Sequence, residues 1–360
     1  MTYTNHQFLV NKSNITEAIF KEETIDDLQE GEVLLSIDYY AFTANNITYA
    51  VVGDTIGYWH FFPAPSPYGI IPAWGFATVV ASKDDSISKG ERYYGYYPMS
   101  DYLKVTPIKK SPLGFVDATA HRQELPAIYN FYTNTASDPM YEKAREGFQP
   151  ILGPLFVTSF LCYYFLKDEA FFGADQVILT SASSKTALAL AFMLGQHKKE
   201  DGKKIIALTS GKHVDFLEET NFYDKVIAYD QVDEALDKTA SVVVDFAGNT
   251  DLLVKLYKVL NSELLYTALI GWTDWTAEKE FKALPRAKFF FAPDHIKKRY
   301  EEWGVERTNS EMGGFLKQYI AIVSEHIELQ HISEKETFLD FYQRMLKGKV
   351  DPSKGYLIHL

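Results

Sequence analysis

Five short runs of unbroken apolar residues, separated by stretches that read as helices, limit what this chain can fold into more than any other feature. They are QVILT at 176–180, KIIAL at 204–208, KVIAY at 225–229, SVVVDF at 241–246 and LLYTALIG at 264–271. Helical segments are expected between them near 184–198, 212–220, 231–238 and 250–260. A strand that is apolar on both faces must be covered on both faces, and helices lying between strands in the chain supply that cover only when the strands run parallel. The pattern therefore predicts an α/β domain with a doubly wound, Rossmann-type parallel sheet. KFFFA at 288–292 is expected to add a sixth strand, and amphipathic helices near 294–328 and 334–347 precede a short apolar tail, GYLIHL.

Before residue 110 the period changes. EVLLSIDYYAF at 32–42, FATVVAS at 76–82 and ERYYGYYP at 91–98 are short β-type runs bounded by Gly, Pro and Asp/Ser turns, which predicts a separate β-rich domain. At 360 residues, 46% of them hydrophobic, the chain can fill two cores. The expected division is 1–125, 126–290 and a C-terminal segment, 291–360, that returns to the first domain.

Charge and cysteine content exclude several classes of function. A net charge of −12 repels nucleic acid and anionic lipid, so neither is an expected partner. The single cysteine, Cys162, forms no intramolecular disulfide and no cysteine-rich zinc cage, which suits a reducing compartment. Residues 1–12 have no charged n-region or apolar h-region, and the longest apolar runs fall short of a membrane span, so the cytoplasm is expected.

In an open parallel sheet a ligand sits beyond the carboxyl ends of the strands, with a pyrophosphate at the first strand-to-helix turn. That turn is SASSKT at 181–186 and contains no glycine. Ser181, Ser183, Ser184 and Thr186 offer hydroxyls, and Lys185 adds a cation at the helix start. The same residues also suit a plain helix start, with Ser183 or Ser184 as N-cap. A phosphate-loop NTPase is a poor fit, because its glycine positions fall on Leu179 and Ser184. After the second strand the turn reads Thr209-Ser210-Gly211-Lys212. A hydroxyl at Ser210 and a cation at Lys212, with no carboxylate between them, favour NADP(H) over NAD(H).

The order of a β-rich domain, a βα domain and a returning C-terminal segment resembles the medium-chain dehydrogenase/reductase superfamily, in particular its zinc-free quinone and enoyl reductases. EGEVLLSIDYYAFTANNITYAVVGDTIGYW resembles the family's opening, and IPAWGFATVVASKDDSISKGERYYGY the stretch from its G-x-E motif to its G-D-R turn. Here Gly75 keeps the glycine, Ala77 replaces the acid, and Gly90-Glu91-Arg92 keeps the turn with Glu for Asp. FVTSFLCYYFL at 156–166 is similar to the helix before the nucleotide domain. VILTSASSKTALALAF takes the place of the strand followed by A-x-x-G-x-x-G, with Ser184 and Ala187 at glycine positions, and VVVDFAGN matches the D-x-x-G end of the fourth strand. With FFFAPDHIKKRYEEWG, the chain looks like a little-characterised subfamily usually catalogued as a domain of unknown function.

The resemblance implies a GroES-like first domain, a dinucleotide cofactor and no metal. It implies an NADP(H)-dependent reductase of a carbonyl or conjugated C=C bond, acting on a small molecule, apolar or aromatic, in an interdomain cleft, and a homodimer. By motif position, Tyr49 and Tyr58 are the candidate proton donors. Asn45, Asn46 and Thr158 are placed to hold the carbonyl or the nicotinamide amide, and Phe246, Gly248 and Gly271 lie at strand ends that meet the cofactor. Trp59-His60 and Trp272-Thr273 are expected to bracket the cleft. The competing reading is a non-catalytic or regulatory dinucleotide-binding descendant, which the missing glycines support.

Overall fold

The computed structural model describes residues 2–270, 284 and 286–360, and contacts divide the chain into two units, Met1–Ile151 with Glu328–Leu360 and Leu152–Ile327. The first unit opens with β1 (Tyr3–Asn11) and β2 (Ala18–Ile25), an antiparallel hairpin. β3 (Val33–Ala41), β4 (Tyr68–Gly69), β5 (Pro72–Ser82), β6 (Arg92–Pro98), β7 (Tyr102–Val105), β8 (Pro107–Ser111), β9 (Gly114–Asp117) and β10 (Phe131–Asn134) follow. β4 joins β1, while the larger sheet runs β3-β5-β6-β10-β9-β8 with β7 also against β3. Gly75 of β5 has a local reason: a Cβ there would stand 2.3 Å from the Tyr39 carbonyl oxygen.

The second unit carries the predicted parallel sheet. Its strands are β11 (Gln176–Leu179), β12 (Lys204–Thr209), β13 (Lys225–Ala228), β14 (Ser241–Asp245), β15 (Leu264–Leu269) and β16 (Ala287–Phe289), in the order β13-β12-β11-β14-β15-β16. Every pairing is parallel. The order reverses at β11, between β12 and β14, the switch point at which such sheets bind ligands. The strands are buried because helices pack on them: Thr250–Leu260 lays Leu253 and Leu256 into one core with Ile178, Ile206, Leu208 and Val243. The helix Phe148–Asp168 is, among the described residues, the one that by length and composition alone could cross a membrane. Phe156, Phe160, Cys162 and Leu166 on it are fully buried in the fold.

The chain then returns to the first unit. β17 (Glu328–Ile332) and β18 (Lys354–Ile358) pair in parallel, and β18 pairs antiparallel with β3, completing nine strands. Between them the helix Lys335–Leu346 is held by rings: Phe338 meets Phe8 at 4.8 Å and Phe42 at 5.6 Å, and the Tyr342 hydroxyl donates to Ile15 O at 2.6 Å. Edge-to-face aromatic packing of this kind adds about 0.5–1.5 kcal/mol per pair beyond the area buried.

Three features differ from the sequence reading. Residues 126–151 lie in the first unit, because β10 pairs antiparallel with both β6 and β9. Residues up to Ile327 stay with the second, so only 328–360 returns. The tail GYLIHL, read only as apolar, is mostly strand, and the helices expected near 294–328 are Ala292–Trp303 and Val305–Val323, separated by Gly304 at φ +82°.

Candidate active site

The turn after β11 is built without glycine, and neighbouring hydroxyls hold it. Ser181 sits in the left-handed region, φ +46°, which costs a non-glycine residue about 1 kcal/mol. Its N–H donates to the Tyr229 hydroxyl oxygen at 3.1 Å. The Tyr223 hydroxyl donates to Ala182 O at 2.8 Å, Tyr319 to Lys185 O at 3.2 Å and Ser159 to Thr186 O at 2.7 Å. Ser184 is the N-cap of the helix Lys185–Gln196, its hydroxyl accepting the Ala187 N–H at 3.3 Å. Ala187, at the other glycine position, is fully buried, so its methyl packs inside the unit. Thr158 is half-buried one residue before Ser159, and Lys185 and Thr186 are half-buried at the helix start.

Four side chains converge where β11 and β12 end. His213 Nδ1 lies 3.2 Å from Ser183 Oγ and 3.1 Å from Ser210 Oγ, and the Thr209 hydroxyl donates to Ser183 Oγ at 3.4 Å. Lys212 is exposed beside them. Across the switch point, at the end of β14, the buried Asp245 carboxylate accepts from the Thr180 hydroxyl and, at 2.9 Å, from the Gly248 N–H. Burial pushes this carboxyl above its usual range, against the pull of Thr180 and the Gly248 and Ala247 amides. The Phe246 N–H donates to Thr180 Oγ1 at 3.1 Å, and Gly248 takes φ +67°. Gly271 and Trp272-Thr273 lie outside the described residues.

In the first unit the tyrosines chosen from sequence stand together. Thr43 caps the helix Ala44–Val51, and its turns bring Asn45 and Tyr49 onto one face. The Asn45 amide donates to the Tyr49 hydroxyl oxygen at 2.7 Å. The Tyr49 and Tyr58 rings are 4.3 Å apart at 33°, and the Tyr58 hydroxyl is 3.4 Å from that of Tyr129. Asn46 does something else: its side-chain oxygen accepts the Thr43 N–H at 2.8 Å, and its amide donates to Pro72 O at 3.0 Å. It is buried, and these bonds anchor the helix rather than face the tyrosines. Burial pushes the Tyr49 hydroxyl far above the usual phenol range, helped by Tyr129, while Trp74, Asn45 and Tyr96 favour its anion. Burial does the same to Tyr58, with Tyr129 and Tyr49 adding to it. His60 is exposed next to the buried Trp59.

A cavity of about 270 Å³ opens elsewhere in this unit, lined by Asn5, Glu23, Ser100, Tyr102, His121 and Arg122 among others. Its one fully buried cation is already engaged: Arg122 donates to Asp117 at 3.1 Å, Tyr132 at 2.7 Å, Asn130 at 3.0 Å and Tyr129 O at 2.6 Å.

A family model described as "Protein of unknown function (DUF2855)" matches residues 40–351. The chain belongs to this family. No curated protein sequence matches it. Among solved structures the fold is similar to CurA from Vibrio vulnificus in complex with NADPH, with a TM-score of 0.63, 14% identity and 98% of each chain covered. It is similar to the yhdH oxidoreductase from Salmonella enterica in complex with NADP, with a TM-score of 0.54, 14% identity and 100% of each chain covered. A third likeness is to the quinone oxidoreductase from Coxiella burnetii, with a TM-score of 0.54, 13% identity and 99% of this chain and 100% of the other covered. At these identities the likeness is one of fold. That fold combines a β-rich, GroES-like unit with a Rossmann-type parallel-sheet unit.

Sequence reasoning passed over His213, one residue beyond the quoted TSGK, although a histidine following a serine-lysine turn was legible. It also passed over Tyr229 and Trp74. Among 24 tyrosines, the ones next to Tyr49 are identified only by strand register.

Proposed function

We propose that this chain is an NADP(H)-dependent oxidoreductase that reduces a carbonyl or a conjugated C=C bond of a small molecule. One observation carries the reading: Ser183, Ser210 and His213 converge beside the exposed Lys212 at the ends of β11 and β12, next to a serine-capped helix start. Hydroxyls, an imidazole and an ammonium suit the extra phosphate of NADP(H). The residues of the turn fit a pyrophosphate as well, because the helix N-terminus and Lys185 favour an anion there. Two of the similar folds were solved with NADPH or NADP.

The cofactor, when bound, supplies the hydride. Tyr49 supplies the proton: with its oxygen occupied by Asn45, its O–H is directed away from that bond, and its raised pKa keeps the proton in place until negative charge develops on the substrate oxygen. After transfer the phenolate is reprotonated from water. Asn45 positions Tyr49, Tyr58 supports its ring, and Asn46 holds the helix that carries them. Thr158, Ser181, Ser184, Thr186, Phe246, Gly248 and Gly271 complete the proposed cofactor contacts.

A second reading, a dinucleotide-binding protein without turnover, draws on Ser184 and Ala187 at the glycine positions. NADPH oxidation measured across quinones, enones and aldehydes separates the two. Turnover with any class supports the reductase; tight NADPH binding with no oxidation of any class supports the second reading.

A further inference from the structure

The cavity of about 270 Å³ in the first unit lies beside the tyrosine cluster, and none of Tyr49, Tyr58, Tyr96 and Tyr129 lines it. Phe62 forms part of its wall, whereas the ring of the neighbouring Phe61 packs on Tyr58, Tyr96 and Tyr129. The cavity is too small for a dinucleotide. A space of about 150 Å³ holds benzene, so this one has room for one ring and a short chain.

Part of the wall is apolar, made by Phe62, Pro63, Ile70 and Leu103. The charged groups divide into those already paired and those that are not. Arg122 is paired with Asp117 at 3.1 Å, and Lys104 with Glu32 at 3.4 Å. Two carboxylates on the wall remain, Glu23 and Asp26, and neither has an ion pair among the described residues. Glu23 is held by amides alone: its Oε1 accepts from Asn5 at 3.0 Å and from Gln7 at 2.6 Å, both on β1. Asn5 is buried and is itself fixed, its Oδ1 accepting the Tyr102 N–H at 3.0 Å. β1 therefore holds this carboxylate in place without neutralising it, and Glu23 Oε2 remains to accept. His121 adds a further acceptor. Its Nε2 meets Phe61 O at 3.1 Å, and a carbonyl only accepts, so Nε2 carries the proton and Nδ1 is the acceptor. Burial lowers the pKa of this ring, which keeps it neutral at pH 7.

We propose that this cavity binds a small primary amine with a compact apolar body. The ammonium donates to Glu23, Asp26 adds a second negative charge, and the apolar end rests on Phe62, Ile70 and Leu103. An ammonium has three N–H donors and no acceptor, which matches a wall whose unpaired charged groups only accept. An anionic ligand would meet two like charges instead. The net charge of −12 further draws cations towards the surface of the chain. The proposal stands independently of the reductase reading.

Ligand-detected NMR titration of the full chain with three probes of similar shape tests it: phenethylamine, 2-phenylethanol, which has a hydroxyl in place of the ammonium, and 3-phenylpropionate, which reverses the charge. Phenethylamine is expected to bind at least fivefold tighter than either. Glu23→Gln keeps a side-chain oxygen for Asn5 and Gln7, so the wall is retained; it is expected to weaken phenethylamine about fivefold and leave 2-phenylethanol unchanged. Asp26→Asn changes an exposed residue and should weaken phenethylamine about twofold, which keeps the test open if Glu23→Gln does not fold. Glu22→Gln removes the same charge from the other face of β2, where Glu22 meets His6 at 3.0 Å, and is expected to leave phenethylamine affinity unchanged. Equal affinity for the amine and the alcohol, no saturable binding of phenethylamine at millimolar concentration, or equal weakening by Glu22→Gln and Glu23→Gln overturns the proposal.

Discussion

Replacing Tyr49 by Phe removes one oxygen and leaves the rest of the aromatic cluster in place. The ring keeps its 4.3 Å contact with Tyr58 and its 6.0 Å contact with Tyr96, so little packing is lost. The one hydrogen bond lost is from Asn45, which is half-buried and can turn its amide to water, so the expected destabilisation is about 1 kcal/mol or less. Catalysis is expected to suffer far more. A positioned proton donor contributes about 10²- to 10⁴-fold, or roughly 2.7–5.5 kcal/mol of barrier. Steady-state rates of NADPH oxidation with the best substrate should therefore show kcat lowered at least a hundredfold, with KM and NADPH affinity close to wild type. Tyr58→Phe is the control. Its hydroxyl has only the 3.4 Å contact with Tyr129, and the expected loss is under about fivefold. A Tyr49→Phe protein that folds and turns over within about twofold of wild type would refute the assignment of the proton, as would an equal loss in the two variants.

The other predictions concern the fold around the site. Asn46→Ala should destabilise the chain by about 2–3 kcal/mol in chemical denaturation, because it orphans the Thr43 N–H and the Pro72 carbonyl together, whereas Asn45→Ala should cost less than half of that; equal effects would contradict the buried anchoring role. Burial would raise the Glu146 carboxyl, but bonds from Arg92 and Tyr141 hold it below its ordinary value of 4.5. A carboxyl depressed in the folded state stabilises the fold above its unfolded pKa, and that contribution is lost as pH falls below about 4.5. Glu146→Gln should flatten this part of the stability-against-pH curve, and an unchanged acid limb would show that the Arg92 pair does not contribute.

The parallel sheet was legible because β11, β12 and β14 are apolar on both faces, a pattern with few other uses. β8, PIKKS, and β10, FYTN, were not: they are short, and β8 is exposed after its first residue, so their pairing with β9 and β6 rather than their composition makes them strands. That is why the first unit runs to Ile151 and not to 125. Ser184 as N-cap was readable from the turn itself. Asn45 and Asn46, adjacent and chemically identical, could not be told apart until the helix phase placed one toward Tyr49 and the other toward Pro72. The convergence of His213 on Ser183 and Ser210 needed the parallel register of β11 and β12, which no local pattern supplies.

The central claim is that the second unit holds NADP(H), and the thermal midpoint tests it most directly. A ligand at a hundred times its Kd stabilises the folded state by about 2.7 kcal/mol, which for a domain of this size is a rise of roughly 5–10 °C. NADPH at millimolar concentration is expected to raise the midpoint by that amount, and NADH by less than half as much. The NADPH advantage should shrink in Lys212→Ala and in Ser210→Ala. No shift with either cofactor, or equal shifts with both, would contradict the account.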